Sequence, residues 1–218
     1  MKALPHPRQW LSAALLAGLL IMAAASGLFV YLADEVGEQA WLASFDLAVA
    51  QFFNRHGVWW LARVFEAVTF FGNPSTITVI GLGVALLLAT LRRWSLLAGW
   101  TAALIGTALL NTTLKAVVQR LRPQLPEPWI TETGWSFPSG HAMGSLVAYG
   151  FLAYLLTQMS PAEFPRRTAV MVLATLVLLI GSSRIYLGVH YLSDVIGGYA
   201  APTVWLTFCI LITRSFGD

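Results

Sequence analysis

The residues best suited to do chemistry fall in three short polar segments of an otherwise apolar chain: KAVVQRLRP at 115–123, FPSGH at 137–141 and SRIYLGVHYLSD at 183–194. In the third, His190 and Asp194 are four residues apart. On a helix that spacing brings a carboxylate to an imidazole, fixes its tautomer and raises the basicity of the other ring nitrogen. Such a pair makes a nucleophile or a base. Arg184, six residues before His190, would point away from it on an uninterrupted helix. Gly188 is the expected break that lets both face one pocket. An ion pair serving topology alone is the competing reading.

Lys115 and Arg122 are seven residues apart, nearly two helical turns, so they share a face if the helix continues through KAVVQRLR. Two cations would then face the same space, unless both reach for lipid headgroups. Arg120 lies off that face, and headgroup contact is its expected fate. In FPSGH, Ser139 is a natural helix cap and Gly140 permits close approach of a ligand to the backbone. His141 sits in the first turn, where free amides attract anions. A capping box or a packed histidine remains the alternative there.

His141, His190 and Asp194 are also zinc-ligand types. Against a metal stand Lys115, Arg122 and Arg184, which would repel a divalent ion and attract an anion with several oxygens. Arginine forks match phosphate oxygens two at a time, and lysine adds a compact charge. The segments therefore read as a phosphate cradle holding a nucleophilic histidine, with no metal and no cofactor.

The spacing of these residues resembles all three signature motifs of the type 2 phosphatidic acid phosphatase (PAP2) superfamily. Lys115, six residues and Arg122-Pro123 correspond to the first. Pro138-Ser139-Gly140-His141 is the second, and Ser183-Arg184, five residues, His190, three residues and Asp194 the third. The resemblance implies that His190 attacks phosphorus and becomes a phosphohistidine, oriented by Asp194, while His141 protonates the leaving oxygen. It also implies that Lys115, Arg122, Arg184, Ser139 and the Gly140 amide hold the phosphoryl oxygens. Cations and amides would then stabilise the equatorial oxygens of an in-line displacement, with the two histidines apical.

The elements that must position these groups are membrane helices. Of 218 residues, 57% are hydrophobic and 11% charged, and the mean hydropathy is +0.71. About 20 apolar residues cross a bilayer, so this length allows roughly six spans in one domain, 1–218. The run from Gln9 to Ala33 is uncharged and longer than a signal-peptide core, so it is expected to be a retained first span rather than a cleaved leader. Residues 38–71 mix Asp46, Arg55, Arg63 and Glu66 with Trp and Phe at helical steps, the pattern of amphipathic helices on the membrane surface. Asn73 as cap and Pro74 in the first turn open a second span, about 75–91. The others are expected near 95–118, 139–158, 168–187 and 192–213, with Pro161 and Pro165 in the turn before the fifth and Pro202 kinking the sixth. The fold expected is an all-α membrane protein with six transmembrane helices and short interfacial helices between the first two.

Lys2, Arg8, Arg92, Arg93, Arg166, Arg167 and Arg214 fall on the side of the termini, against only Glu163 and Asp218. The positive-inside rule makes that side cytoplasmic and puts all three polar segments at the outer face of a cell (inner) membrane. The formal charge of +3 comes from scattered cations that suit orientation, so nucleic acid is not an expected partner. Cys209 lies in an apolar run and is expected to pack there.

The function expected is hydrolysis of a lipid phosphomonoester or terminal phosphate, with phosphatidate, phosphatidylglycerol phosphate and undecaprenyl diphosphate as candidates from the family. A lipid-diphosphate-dependent phosphotransferase shares the first half of the reaction. A vanadate haloperoxidase would share the cradle but not the spans. A lipid or anion transporter would need deep charge or a symmetric repeat, which this chain lacks.

Overall fold

A computed structural model describes residues 7–38, 40–159 and 163–216. Among them the chain forms eight helices: α1 (Pro7–Glu38), α2 (Ala40–His56), α3 (Trp59–Phe70), α4 (Pro74–Thr90), α5 (Trp94–Val118), α6 (Gly140–Met159), α7 (Glu163–Tyr186) and α8 (Leu192–Ser215). Six stretches are long and apolar enough to cross a membrane, which makes this an all-α multi-span membrane protein. Lys2, Pro161 and Asp218, used above for topology and turns, lie outside the described residues.

The second apolar stretch is Trp59–Thr90 and contains α4, which matches the span expected at about 75–91. It also takes in α3, whose two ends both lie beside the end of α7 that carries Arg184: the Val58 amide donates to the Tyr186 hydroxyl at 2.7 Å, and Thr69 Oγ1 accepts from Arg184 at 2.7 Å, in keeping with the interfacial helix expected. Only a short turn at Phe71–Asn73 separates α3 from α4, because Asn73 is extended (ψ 141) and the following Pro74 has no amide to continue the helical ladder. Pro202 lies within α8, which runs on past it.

α6 stands at the centre of the bundle, with buried residues on several faces, among them Ala142, Met143, Val147, Ala148, Phe151 and Leu155. Its lower half joins Leu88, Trp100, Ala103 and Cys209 in one core that ties α4, α5, α6 and α8 together. The buried Trp100 indole donates to the Gly81 carbonyl at 2.9 Å, strapping α5 to α4. Trp205 lies so tightly on Gly106 that a Cβ there would meet the indole at 2.3 Å. α1 packs along α8, where Gly18 lets Leu211 approach. Apolar side chains such as Leu20, Leu82, Leu86, Leu109 and Met171 face outward, as lipid requires.

The polar segments gather at one end of this bundle, on the last turns of α5 and α7 and the first turns of α6 and α8. Arg93 and Arg214 line a shared hollow at the other end.

Candidate active site

Helix ends and the chain breaks beside them deliver the candidate reactive groups. α5 stops at Val118, and Gln119 turns left-handed (φ 49), so Arg122 is carried by irregular chain and not by the continued helix the spacing predicted. α7 stops at Tyr186, and Gly188 has φ +81, a conformation that suits glycine. This is the predicted break. It folds the chain back so that the Val189 and His190 amides both donate to the Arg184 carbonyl at 3.2 Å.

His190 is almost wholly buried. Its Nδ1 lies 3.4 Å from Asp194 Oδ2 and 3.3 Å from Ser136 Oγ, while Nε2 lies 3.2 Å from Arg122 Nη1. A guanidinium only donates, so Nε2 carries the lone pair and Nδ1 the proton, directed at the acid. Burial lowers the His190 pKa to about 4, with Arg122 and Arg184 pushing the same way and Asp194 opposing. The imidazole is therefore neutral at physiological pH.

Asp194 is held on both oxygens. Oδ1 accepts from Arg120 at 2.6 Å, and Oδ2 accepts from Ser136 Oγ at 2.5 Å and the Tyr191 amide at 2.8 Å. This corrects the expected fate of Arg120, which does not reach for headgroups. Its guanidinium is largely withdrawn from solvent, stacks over the Tyr191 ring and also binds Asp46 at 2.7 Å, since two carboxylates inside the protein hold it more strongly than water at the rim does.

The cations lie nearby. Lys115 donates to the Trp135 and Ser136 carbonyls. Arg122 donates to Val189 at 2.8 Å and Gly134 at 3.1 Å, and Arg184 to Thr69 Oγ1 at 2.7 Å. Glu132 bridges Arg122, at 3.1 Å, and Arg184. Burial raises the Glu132 pKa, but Arg184, the histidines and Arg122 outweigh it and bring the value below the ordinary range. Neither Asn73 nor Ser139 caps a helix with its side chain, contrary to expectation. Asn73 Oδ1 instead faces His141 Nε2 at 2.8 Å, and Ser139 Oγ is buried without a hydrogen bond in the protein. Gly140 lies against Asn111, which a Cβ would approach at 3.3 Å.

Lys115, Arg122, Glu132, Gly140, His141 and His190 line one end of a cavity of about 850 Å³. From there the cavity descends between α4 and α5, past Gly81, Leu104 and Ala108, to Ala85 and Trp100. Leu82 and Ile105, which also line it, are exposed on the flank of the bundle. Arg184 and Ser139 stand behind this surface, Arg184 screened by Glu132.

Residues 94–217 match the PAP2 superfamily. The chain is 36% identical over 148 residues to phosphatidylglycerophosphatase B of Bacillus subtilis, covering 65% of this chain and 70% of that protein. It is 34% identical to decaprenylphosphoryl-5-phosphoribose phosphatase of Mycolicibacterium smegmatis, covering 74% of this chain and 81% of the other. The crystal structure of the transmembrane PAP2 type phosphatidylglycerolphosphate phosphatase from Bacillus subtilis superposes with a TM-score of 0.74 at 28% identity, over 89% of this chain and 94% of that one. With the three motifs meeting at one cavity of a six-span bundle, the chain belongs to the PAP2 superfamily, as a membrane lipid phosphatase.

Proposed function

We propose that the protein removes a phosphate from a lipid headgroup at the outer face of a cell membrane through a phosphohistidine. His190 Nε2 attacks phosphorus as the bond to the lipid oxygen breaks, and His141, oriented by Asn73, gives that oxygen a proton. Asp194 stabilises the positive charge that develops on the imidazole. Lys115, Arg122 and Arg184, with Ser139 and the Gly140 amide, hold the phosphoryl oxygens, once Glu132 has yielded its arginines to the substrate. Water then attacks the phosphohistidine, His141 takes its proton, and the P–N bond breaks to release phosphate.

The observation that carries this reading is the single cavity that joins the lone-pair side of His190 to an apolar groove between α4 and α5. A headgroup phosphate at the cations leaves its chain in that groove. Phosphatidylglycerol phosphate, undecaprenyl diphosphate and phosphatidate are the candidate substrates. The side follows from charge: Arg92, Arg93, Arg166, Arg167 and Arg214 gather at the end away from His190, which favours a cytoplasmic location for that end and both termini.

The test is phosphate release by purified protein from the three lipids, with mass spectrometry of acid-quenched enzyme. His190→Ala should lose turnover by at least about 10³-fold and lose the phosphoenzyme. Vanadate should inhibit and chelators should not. A phosphoenzyme on another residue, or activity lost to a chelator, overturns the mechanism.

A further inference from the structure

Behind Asp194 the buried charges continue. Asp46, on α2, is wholly buried in an otherwise apolar stretch of helix. One of its oxygens accepts from the Ser193 amide at 3.1 Å, and the other from Ser193 Oγ and, at 2.7 Å, from Arg120 Nη2. Arg120 Nη1 reaches both Ser193 Oγ at 2.7 Å and Asp194 Oδ1 at 2.6 Å. The series Asp46, Arg120, Asp194, His190 therefore alternates in charge without a gap, and three different parts of the chain contribute to it.

Such a series has two effects on the imidazole at its end. The first is alignment: Arg120 Nη1 holds Asp194 Oδ1 at 2.6 Å, which leaves Oδ2 turned to His190 Nδ1 at 3.4 Å. The second is the field at the imidazole, which the cation lowers and the carboxylates raise. An arginine paired with Asp194 alone would draw off the field that supports the imidazole, and Asp46 balances it by taking the other side of the fork. Asp46 also fixes the Ser193 amide in the first turn of α8, and so the backbone from which Asp194 projects.

We propose that Asp46 and Arg120 are positioning residues, an ion pair that aligns the Asp194 carboxylate behind His190, balances the field at the imidazole and couples helix α2 to the nucleophile. This rests on the reading of His190 as nucleophile. Tyr191 faces the pair, and the other charged or titratable groups around His190 and Asp194 are Lys115 on α5, His141 on α6, Arg184 on α7, and Arg122 and Glu132 on connecting segments. None of them is altered in the test.

The experiment compares full-length Asp46→Asn, Arg120→Gln, the double variant and His190→Ala with the parent protein in lipid micelles. It follows the His190 imidazole by NMR of histidine-labelled protein, with His190→Ala for assignment, together with kcat and KM on phosphatidylglycerol phosphate. Removing the negative charge of Asp46 makes His190 harder to protonate, so its midpoint falls. Removing the positive charge of Arg120 makes protonation easier, so its midpoint rises. Each shift should be about half a pH unit or more, in opposite directions, and the double variant should return toward the parent value. kcat should fall about 10- to 100-fold in each single variant with KM within about threefold, since neither residue touches the lipid. A loss of packing alone would not move the midpoints in opposite senses, and a midpoint does not depend on the fraction of protein that is active. Unmoved midpoints, or shifts of the same sign, overturn the proposal while an inactive His190→Ala leaves the nucleophile standing. Turnover by His190→Ala overturns the nucleophile whichever way the midpoints move.

Discussion

Glu132 pairs with both Arg122 and Arg184, so a carboxylate from the loop between α5 and α6 occupies the two forks that a phosphate would use. The ligand must displace it, and the apparent affinity is lowered by the fraction of molecules in which it stays. Glu132→Ala should therefore tighten inhibition by inorganic phosphate and vanadate by roughly three- to tenfold. Inhibition constants measured on the two proteins decide this, and an unchanged or weaker constant in the variant would show that Glu132 does not compete.

His190 is held neutral by burial and by two arginines, with its pKa near 4. Its protonated form is therefore expected only below that pH, whereas an exposed histidine would be half protonated near 6.5. The sign follows: the proposed attack needs the free Nε2, which is available above about pH 4 and lost as pH falls through that value. Histidine NMR on the parent protein should show one imidazole, absent in His190→Ala, titrating well below the ordinary range.

The apolar half of the cavity between α4 and α5 implies a chain-length effect. Ala108 lines it, and an indole there would fill space that a lipid chain needs. Ala108→Trp is expected to raise KM for a long-chain lipid phosphate by about tenfold, the order seen when a few methylenes lose their pocket. It should leave hydrolysis of p-nitrophenyl phosphate within about twofold, because the cations and histidines are untouched. Equal losses on both substrates would remove the groove from the binding site.

Topology is open to labelling because the lone cysteine, Cys209, is buried. In intact cells, Gln124→Cys should react with a membrane-impermeant maleimide and Arg93→Cys only after permeabilisation, both positions being exposed. The reverse pattern would invert the protein and put the reaction on the cytoplasmic face.

The six spans and the three motifs are legible in the sequence because each depends on local pattern: uninterrupted apolar length for the spans, and residue type at fixed spacing for Lys115, Arg122, His141, Arg184, His190 and Asp194. Even the break at Gly188 can be read, since a helix cannot present Arg184 and His190 to one side. What escapes is whatever depends on distant packing. Arg120 lies 74 residues from both Asp46 and Asp194, and nothing local distinguishes it from a headgroup arginine. Asp46 left a faint signal, a single carboxylate in the apolar stretch AWLASFDLAVAQFF; read as part of a surface helix, it gave no reason to seek a partner. Ser136 and Glu132 belong to a loop whose path is set by what it covers, and Asn73 holds the N-cap position that Gly72 and Pro74 suggest, while its side chain turns to His141.

The groups on the six spans that we propose act on phosphate all hang from helix ends: Lys115 closes α5, His141 opens α6, Arg184 closes α7 and Asp194 opens α8. No such group is embedded halfway along a span. The lower turns of these helices can thus lengthen or shorten to match a thicker or thinner hydrocarbon slab while the reacting atoms keep their places. That separates adaptation to a host membrane from preservation of the chemistry, and leaves the two free to evolve on opposite ends of the same rods.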